Sequence, residues 1–307
     1  MDSVANQAVS DDALLAEQPA VSARAGKLTA YLDLTKPRIT MLVTATAAAG
    51  YCLGSASGFD YFRFLHTAIG IVLLSSGIGA LNQYIERDLD RLMRRTEMRP
   101  LPAGRLQPRQ ALRFGVALSL IATVYLAVLV NPLSAALGVL TFAAYLFAYT
   151  PLKTRTTLST IIGAFPGAMP PFIGWVAANG QITIEAWVLF AILFLWQFPH
   201  FLAIAWMYRD DYARAGIKML PVVEREGRIT GQQIIAYTIL LVPVSLMPTL
   251  VRLSGTVYFY GALALGLWFL YYSVRAARQR TTWQARKLLL ASVLYLPVLF
   301  ALMVLNR

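Results

Sequence analysis

Acidic residues are scarce in this chain. Aspartate and glutamate number 15 against 27 lysines and arginines, and the four charged types together make up only 14% of its residues. A surface that faces water on all sides is hard to build from so little charge. Cysteine is scarcer still: the single Cys52 excludes an intramolecular disulfide framework and reads as a small packing residue. Imidazole chemistry is confined to two positions, His66 and His200. Neither a cleavable signal peptide nor an arginine-rich amphipathic transit peptide is recognisable at the start, which leaves a bacterial plasma membrane as the simplest address. Residues 1–25 are polar, with Asp2, Asp11, Asp12 and Glu17 against Arg24, and read as a disordered cytoplasmic tail.

Apolar residues fill the space that charge leaves. They make up 58% of the chain, at a mean hydropathy of +0.58. They fall in runs near the length of about 20 residues that a helix needs to cross a bilayer. We read an all-α, polytopic membrane bundle with nine spans near 38–57, 64–85, 111–130, 132–150, 158–178, 184–207, 231–251, 256–274 and 287–305. Together they make residues 26–307 a single nine-span domain. The fifth span carries Pro166, Pro170 and Pro171 with Gly163, Gly167 and Gly174, a pattern that predicts repeated breaks beside a cavity or a kinked packing helix.

Basic residues orient the bundle, because cytoplasmic loops carry the excess of lysine and arginine. The N-terminal side and alternate loops hold 24 of the 27, and only Arg63, Arg252 and Arg307 fall on the other side. The N-terminus is therefore expected in the cytoplasm and the C-terminus outside. The positive charge then reports topology and contact with anionic lipid, and implies no nucleic acid. Loops 86–110, 151–157 and 208–230 converge on the cytoplasmic face and form the expected cap of an active site.

Asn82, Glu86 and Asp90 recur every fourth residue where the second span runs into RDLDRLMRRTEMRPLPAGR. A helix turns about 100° per residue, so this spacing places three oxygen-bearing side chains on one stripe, with Asp88 about 120° away. Hard cations such as Mg²⁺ take oxygen ligands and often leave substrate phosphates to complete the shell. Arg94 and Arg95 just beyond would suit a polyanion held by that metal. Asp210 and Asp211 emerge from the sixth span in a similar way, and Lys153 and Arg155 follow the fourth. Each group also has a plainer reading: the acids as a solvated helix end paired with neighbouring arginines, and the bases as ordinary topology signals. His200 lies inside a span, where an ionisable residue is costly enough to suggest function, either as an iron ligand or as an interhelical hydrogen-bond partner.

The segments NQYIERDLDRLMRRTEMRPLP, YTPLKTRT, WQFPHF and YRDDYARAGIKMLP resemble the signature stretches of the UbiA-type intramembrane prenyltransferases, in a likeness that runs from about Thr35 to Val222. The likeness is closest to the branch that modifies haem. It implies an all-helical bundle with a central cavity, in which paired acidic motifs hold Mg²⁺ and a prenyl diphosphate. Carried over by position, the metal ligands are Asn82, Glu86 and Asp90, with Asp210 and Asp211 as the second motif. The second motif departs from two aspartates four apart, because Ala215 stands where the partner of Asp211 would be. Asp210 pairing with Arg214 is the alternative.

The resemblance further implies that farnesyl diphosphate ionises and that a vinyl group of haem B attacks the allylic carbon. Water then completes a hydroxyethylfarnesyl side chain, and the product serves terminal oxidases directly or through haem A synthase. Lys153, Arg94, Arg95 and Lys218 would stabilise the leaving group, with Arg155 beside them. Aromatic faces including Tyr149 would shield the cation, and His200 would contact the haem. Two other functions compete: a prenyltransferase of the same fold acting on an aromatic acid in quinone biosynthesis, and a membrane transporter. An odd span count, no inverted repeat and acids gathered at one face disfavour the transporter.

Overall fold

A computed structural model describes residues 26–55 and 58–307, so the tail expected over 1–25 lies outside the described residues. The described residues contain no strand. A short helix α1 (Lys27–Leu34) precedes α2 (Pro37–Gly54), α3 (Tyr61–Asp90) and α4 (Pro108–Leu129). The chain continues through α5 (Pro132–Leu152), α6 (Ser159–Asn179) and α7 (Ile184–Met207). Two short helices, α8 (Arg209–Arg214) and α9 (Leu220–Val223), lead to α10 (Arg228–Leu250), α11 (Thr256–Gln279) and α12 (Thr282–Leu305).

Eight of these helices are long and apolar enough to cross a bilayer, and the protein is a multi-pass membrane protein. The helix at the first expected span, α2, is not among the eight. It has 18 residues, but Pro37, Arg38 and three threonines dilute its apolar character. Two of those threonines return their hydroxyl protons to their own helix, Thr44 to the Thr40 carbonyl and Thr46 to that of Val43. That removes part of the cost of an apolar setting.

Starts and stops follow local chemistry. Proline opens α2, α4 and α5, where its missing N–H costs nothing. The Asn131 side chain accepts from Ser134 N at 2.7 Å, which makes the brief Asn131-Pro132 link a true break between α4 and α5. Asp60 caps α3 in the same way through Arg63 N.

In packing, α3 lies on α4, α4 on α5, α5 on α6 and α6 on α7; α7 meets α10 and α12, and α12 reaches back to α2. The most apolar stretch of α6 is 72% buried and that of α4 only 22%, so α6 is a central strut and α4 faces lipid. Contrary to the expected breaks, α6 runs unbroken through its three prolines. Its glycines are slots for neighbours. A Cβ at Gly174 would strike the Ala47 carbonyl, while one at Gly50 on α2 would strike that of Pro171, so the two backbones touch where only glycine fits. Gly163 receives the Tyr149 ring and Gly167 the Gln197 amide.

Candidate active site

Because α3 stays helical through Asp90, the four-residue spacing is realised in three dimensions. Asn82, Glu86 and Asp90 are 2%, 7% and 0% exposed on one stripe, whereas Asp88 points outward to Arg87 and Arg91. A buried carboxylate needs a partner, and each oxygen group has one. Lys153 Nζ lies 2.5 Å from Glu86 Oε1. Arg99 Nη1 donates to both Asp90 oxygens at 2.8 Å. Lys36 Nζ donates to Asn82 Oδ1 at 2.8 Å, while the Asn82 Nδ2 atom is buried with no partner.

Three local structures deliver those bases. Lys36 adopts a left-handed backbone, φ 50°, at the turn into α2, a conformation that L residues avoid unless their surroundings enforce it. Arg99 returns to the end of α3 because the loop folds back on itself: the Thr96 hydroxyl donates to the Asp90 carbonyl, and Arg105 pairs with Asp33 at 2.8 Å. Lys153 follows a π-helical segment, Ala144–Tyr149, that closes α5. Such a bulge re-aims side chains and often marks a functional site. Here it sets Tyr145 and Tyr149 edge to face, 5.2 Å apart, with the Lys153 ammonium 4.4 Å from the Tyr149 ring centre and 5.9 Å from that of Tyr145.

The electrostatics of the two lysines diverge. Burial pushes Lys36 down to about 7, with Arg99 and Lys153 adding to the effect. Burial also opposes charge on Lys153, but the Tyr149 and Glu86 groups outweigh it, and the ammonium is held above its ordinary range.

The remaining expected residues are placed differently. Arg94 and Arg95 are exposed, and Arg95 packs over Tyr212 and donates to its hydroxyl at 2.8 Å; the guanidinium that reaches the acids is Arg99. Arg155 and Lys218 are exposed, and Lys218 contributes through its backbone N–H, which donates to the Lys153 carbonyl at 2.7 Å. Asp210 is exposed, and Asp211, rather than its neighbour, pairs with Arg214. Among the described residues no three of His, Cys, Asp or Glu gather as a metal-holding group, so Asp210 and Asp211 do not complete one with Glu86 and Asp90. The two loops nevertheless dock: Met93 packs with Ala215 and Ile217.

His200 sits about 10 Å up α7 from its Met207 end, by helical rise. Its Nδ1 is 2.7 Å from Ser292 Oγ on α12, and its ring stacks on Trp196 at 4.7 Å. Ser292 Oγ donates to the Leu289 carbonyl at 2.6 Å, so it accepts from Nδ1–H, and this network assigns the lone pair to Nε2. His66, near the start of α3 and far from the stripe, meets Tyr125.

Sequence reasoning missed Lys36 and Arg99. The signal for Lys36 was a base set directly before the helix-opening Pro37. For Arg99 it was the RPLPAGR turn that sends the chain back.

Fold and site together define an integral membrane protein whose polar chemistry is held at one rim of an apolar helical bundle. The sequence profile of the UbiA prenyltransferase family matches residues 42–301. A protoheme IX farnesyltransferase from Solibacter usitatus is 56% identical over 90% of this chain and 98% of its own length. One of the same name from Koribacter versatilis is 48% identical over 90% and 93%. A solved UbiA homologue from Archaeoglobus fulgidus bound to GPP and Mg²⁺ shares the fold at a TM-score of 0.61 and 16% identity, covering 89% of this chain and 99% of that one. This chain belongs to the UbiA prenyltransferase family. It is a prenyltransferase enzyme, which displaces the transporter alternative.

Proposed function

We propose that the enzyme transfers the farnesyl group of farnesyl diphosphate to a vinyl group of haem B. The observation that carries this reading is the buried stripe of Asn82, Glu86 and Asp90 with a base on each member. The relatives' name supplies the acceptor, and GPP with Mg²⁺ in the archaeal homologue supplies the class of donor and metal.

The donor set fits Mg²⁺, since Asn82, Glu86 and Asp90 offer only oxygens to a hard cation. Held by Asn82, Glu86 and Asp90, such a metal would supply positive charge to stabilise the leaving diphosphate. The chain's own bases act with it. Lys153, Arg99 and Lys36 donate to diphosphate oxygens as the C1–O bond of the farnesyl group breaks. The Tyr145 and Tyr149 faces border the allylic cation and keep water from it. The vinyl group forms the new carbon–carbon bond, and water adds to the resulting cation and loses a proton. His200 presents Nε2 toward the haem, with Ser292 holding its tautomer. The basic-residue count supports a reading in which the rim of α3 lies on the cytoplasmic face of a bacterial inner membrane and α2 is the first of nine spans. Loops 86–110, 151–157 and 208–230 cap the site. The product passes to terminal oxidases, directly or through haem A synthase.

Purified protein given haem B and farnesyl diphosphate with Mg²⁺ should yield a more hydrophobic haem, read by chromatography of extracted haems. Prenylation of a benzoate with no action on haem overturns the acceptor and favours the quinone-pathway reading.

A further inference from the structure

We propose that the bases around the α3 stripe are resident counterions that exclude a divalent cation until a diphosphate arrives, so that metal and diphosphate bind as one unit. The proposal rests on the reading above that Asn82, Glu86 and Asp90 are the metal ligands.

Each of the three ligand residues already holds a base. Lys153 holds Glu86 at 2.5 Å, Arg99 holds both Asp90 oxygens at 2.8 Å, and Lys36 holds the Asn82 oxygen at 2.8 Å. Lys153 and Arg99 offset the two carboxylates one for one, and Lys36 adds positive charge whenever it is protonated. Sites that bind free divalent ions supply an excess of carboxylates. None is supplied here, since no further acid among the described residues joins Glu86 and Asp90 in a metal-holding group. A bare Mg²⁺ would have to displace an ammonium and a guanidinium that remain beside it, among buried groups where the repulsion is poorly screened.

A diphosphate removes that obstacle. Its oxygens accept the N–H donors that Lys153, Arg99 and Lys36 release, while the carboxylates turn to the metal, and every charge keeps a partner through the exchange. A donor is in reserve as well. The buried Asn82 Nδ2, which makes no close hydrogen bond and lies near the Glu86 carboxylate, would find an acceptor in a phosphate oxygen.

Equilibrium dialysis of the detergent-solubilised full chain against Mn²⁺, with inorganic pyrophosphate absent or equal on both sides, tests this. The unaltered protein should retain excess Mn²⁺ only when pyrophosphate is present. Lys153→Met, which strips Glu86 of its cation, should retain Mn²⁺ without pyrophosphate and at least about tenfold more tightly than the parent. Lys36→Met should shift the same way by a smaller factor, and serves if Lys153→Met does not elute as a folded protein. Equal retention by the parent with and without pyrophosphate overturns the proposal, as does a folded variant with no gain. Retention by the parent under neither condition overturns the metal–diphosphate reading as well, so the two failures are told apart.

Discussion

The ends of α3 and α7 begin from similar sequence and finish differently. In each, a long apolar helix runs out into acids and arginines. At α3 the helix persists, and Asn82, Glu86 and Asp90 turn inward. At α7 it stops at Met207, and a bend at Tyr208 starts the separate helix α8, which has no buried residue. Spacing accounts for the contrast. Groups four apart share a stripe and can all turn inward, whereas adjacent Asp210 and Asp211 point about 100° apart and cannot both do so. The number of acids therefore matters less than their interval.

The sharpest way to break this contrast is at its buried end. Asp90→Asn should lower prenyl transfer by about a hundredfold or more, because it removes a ligand charge and strands Arg99 without its anion. The check is haem product formed per enzyme, with membrane insertion shown unchanged by extraction. Normal turnover at ordinary Mg²⁺ would remove Asp90 from the site. Next in size, Arg99→Gln should cost about tenfold in kcat/KM, while Arg94→Gln stays within about twofold, since only the buried, charge-assisted contact is worth much. Equal losses would mean that the whole arginine run acts as a diffuse field.

A third change asks what α7 contributes in place of a second acidic stripe. His200→Ala should raise KM for haem about fivefold and leave KM for farnesyl diphosphate unchanged, a split that marks loss of acceptor binding. Should both constants move together, His200 serves packing between α7 and α12 through Ser292 and Trp196.

Much of this was legible in the chain. Eight of the spans could be read because apolar runs of bilayer length carry their own signal, and the α3 stripe because its four-residue interval lies on an uninterrupted helix. The rest depends on contacts distant in sequence. Arg94 and Arg95 stand nearer to the acids along the chain than Arg99 does, but loop closure through Thr96 brings the more remote guanidinium home. Lys36 is 46 residues from the Asn82 it serves. In α6 the glycines and prolines looked like breakers, yet the glycines are recesses for Tyr149, Gln197 and the α2 backbone, and nothing local distinguishes a recess from a break. The partner of His200 is 92 residues away on another helix, so its tautomer was beyond any reading of WQFPHF.

The smallest effect is expected at the α7 end, and it is also the most discriminating. Asp211 pairs with Arg214 three residues on; the Arg214 side chain is 43% exposed and that of Asp211 13%. With the guanidinium open to water, solvent still screens such a pair in part, and it contributes about 1 kcal/mol. Asp211→Asn should therefore change turnover by less than about threefold. Any loss should come from slackening of α8, whose Tyr212 receives Arg95 and which precedes the Ala215 and Ile217 contacts with Met93. Arg214→Gln should then reproduce it, since removing either partner opens the same pair. If Asp211→Asn instead matches Asp90→Asn in depth and Arg214→Gln does not follow, Asp211 works as an anion in its own right. The two helix ends would then be equivalent in function despite their unlike geometry.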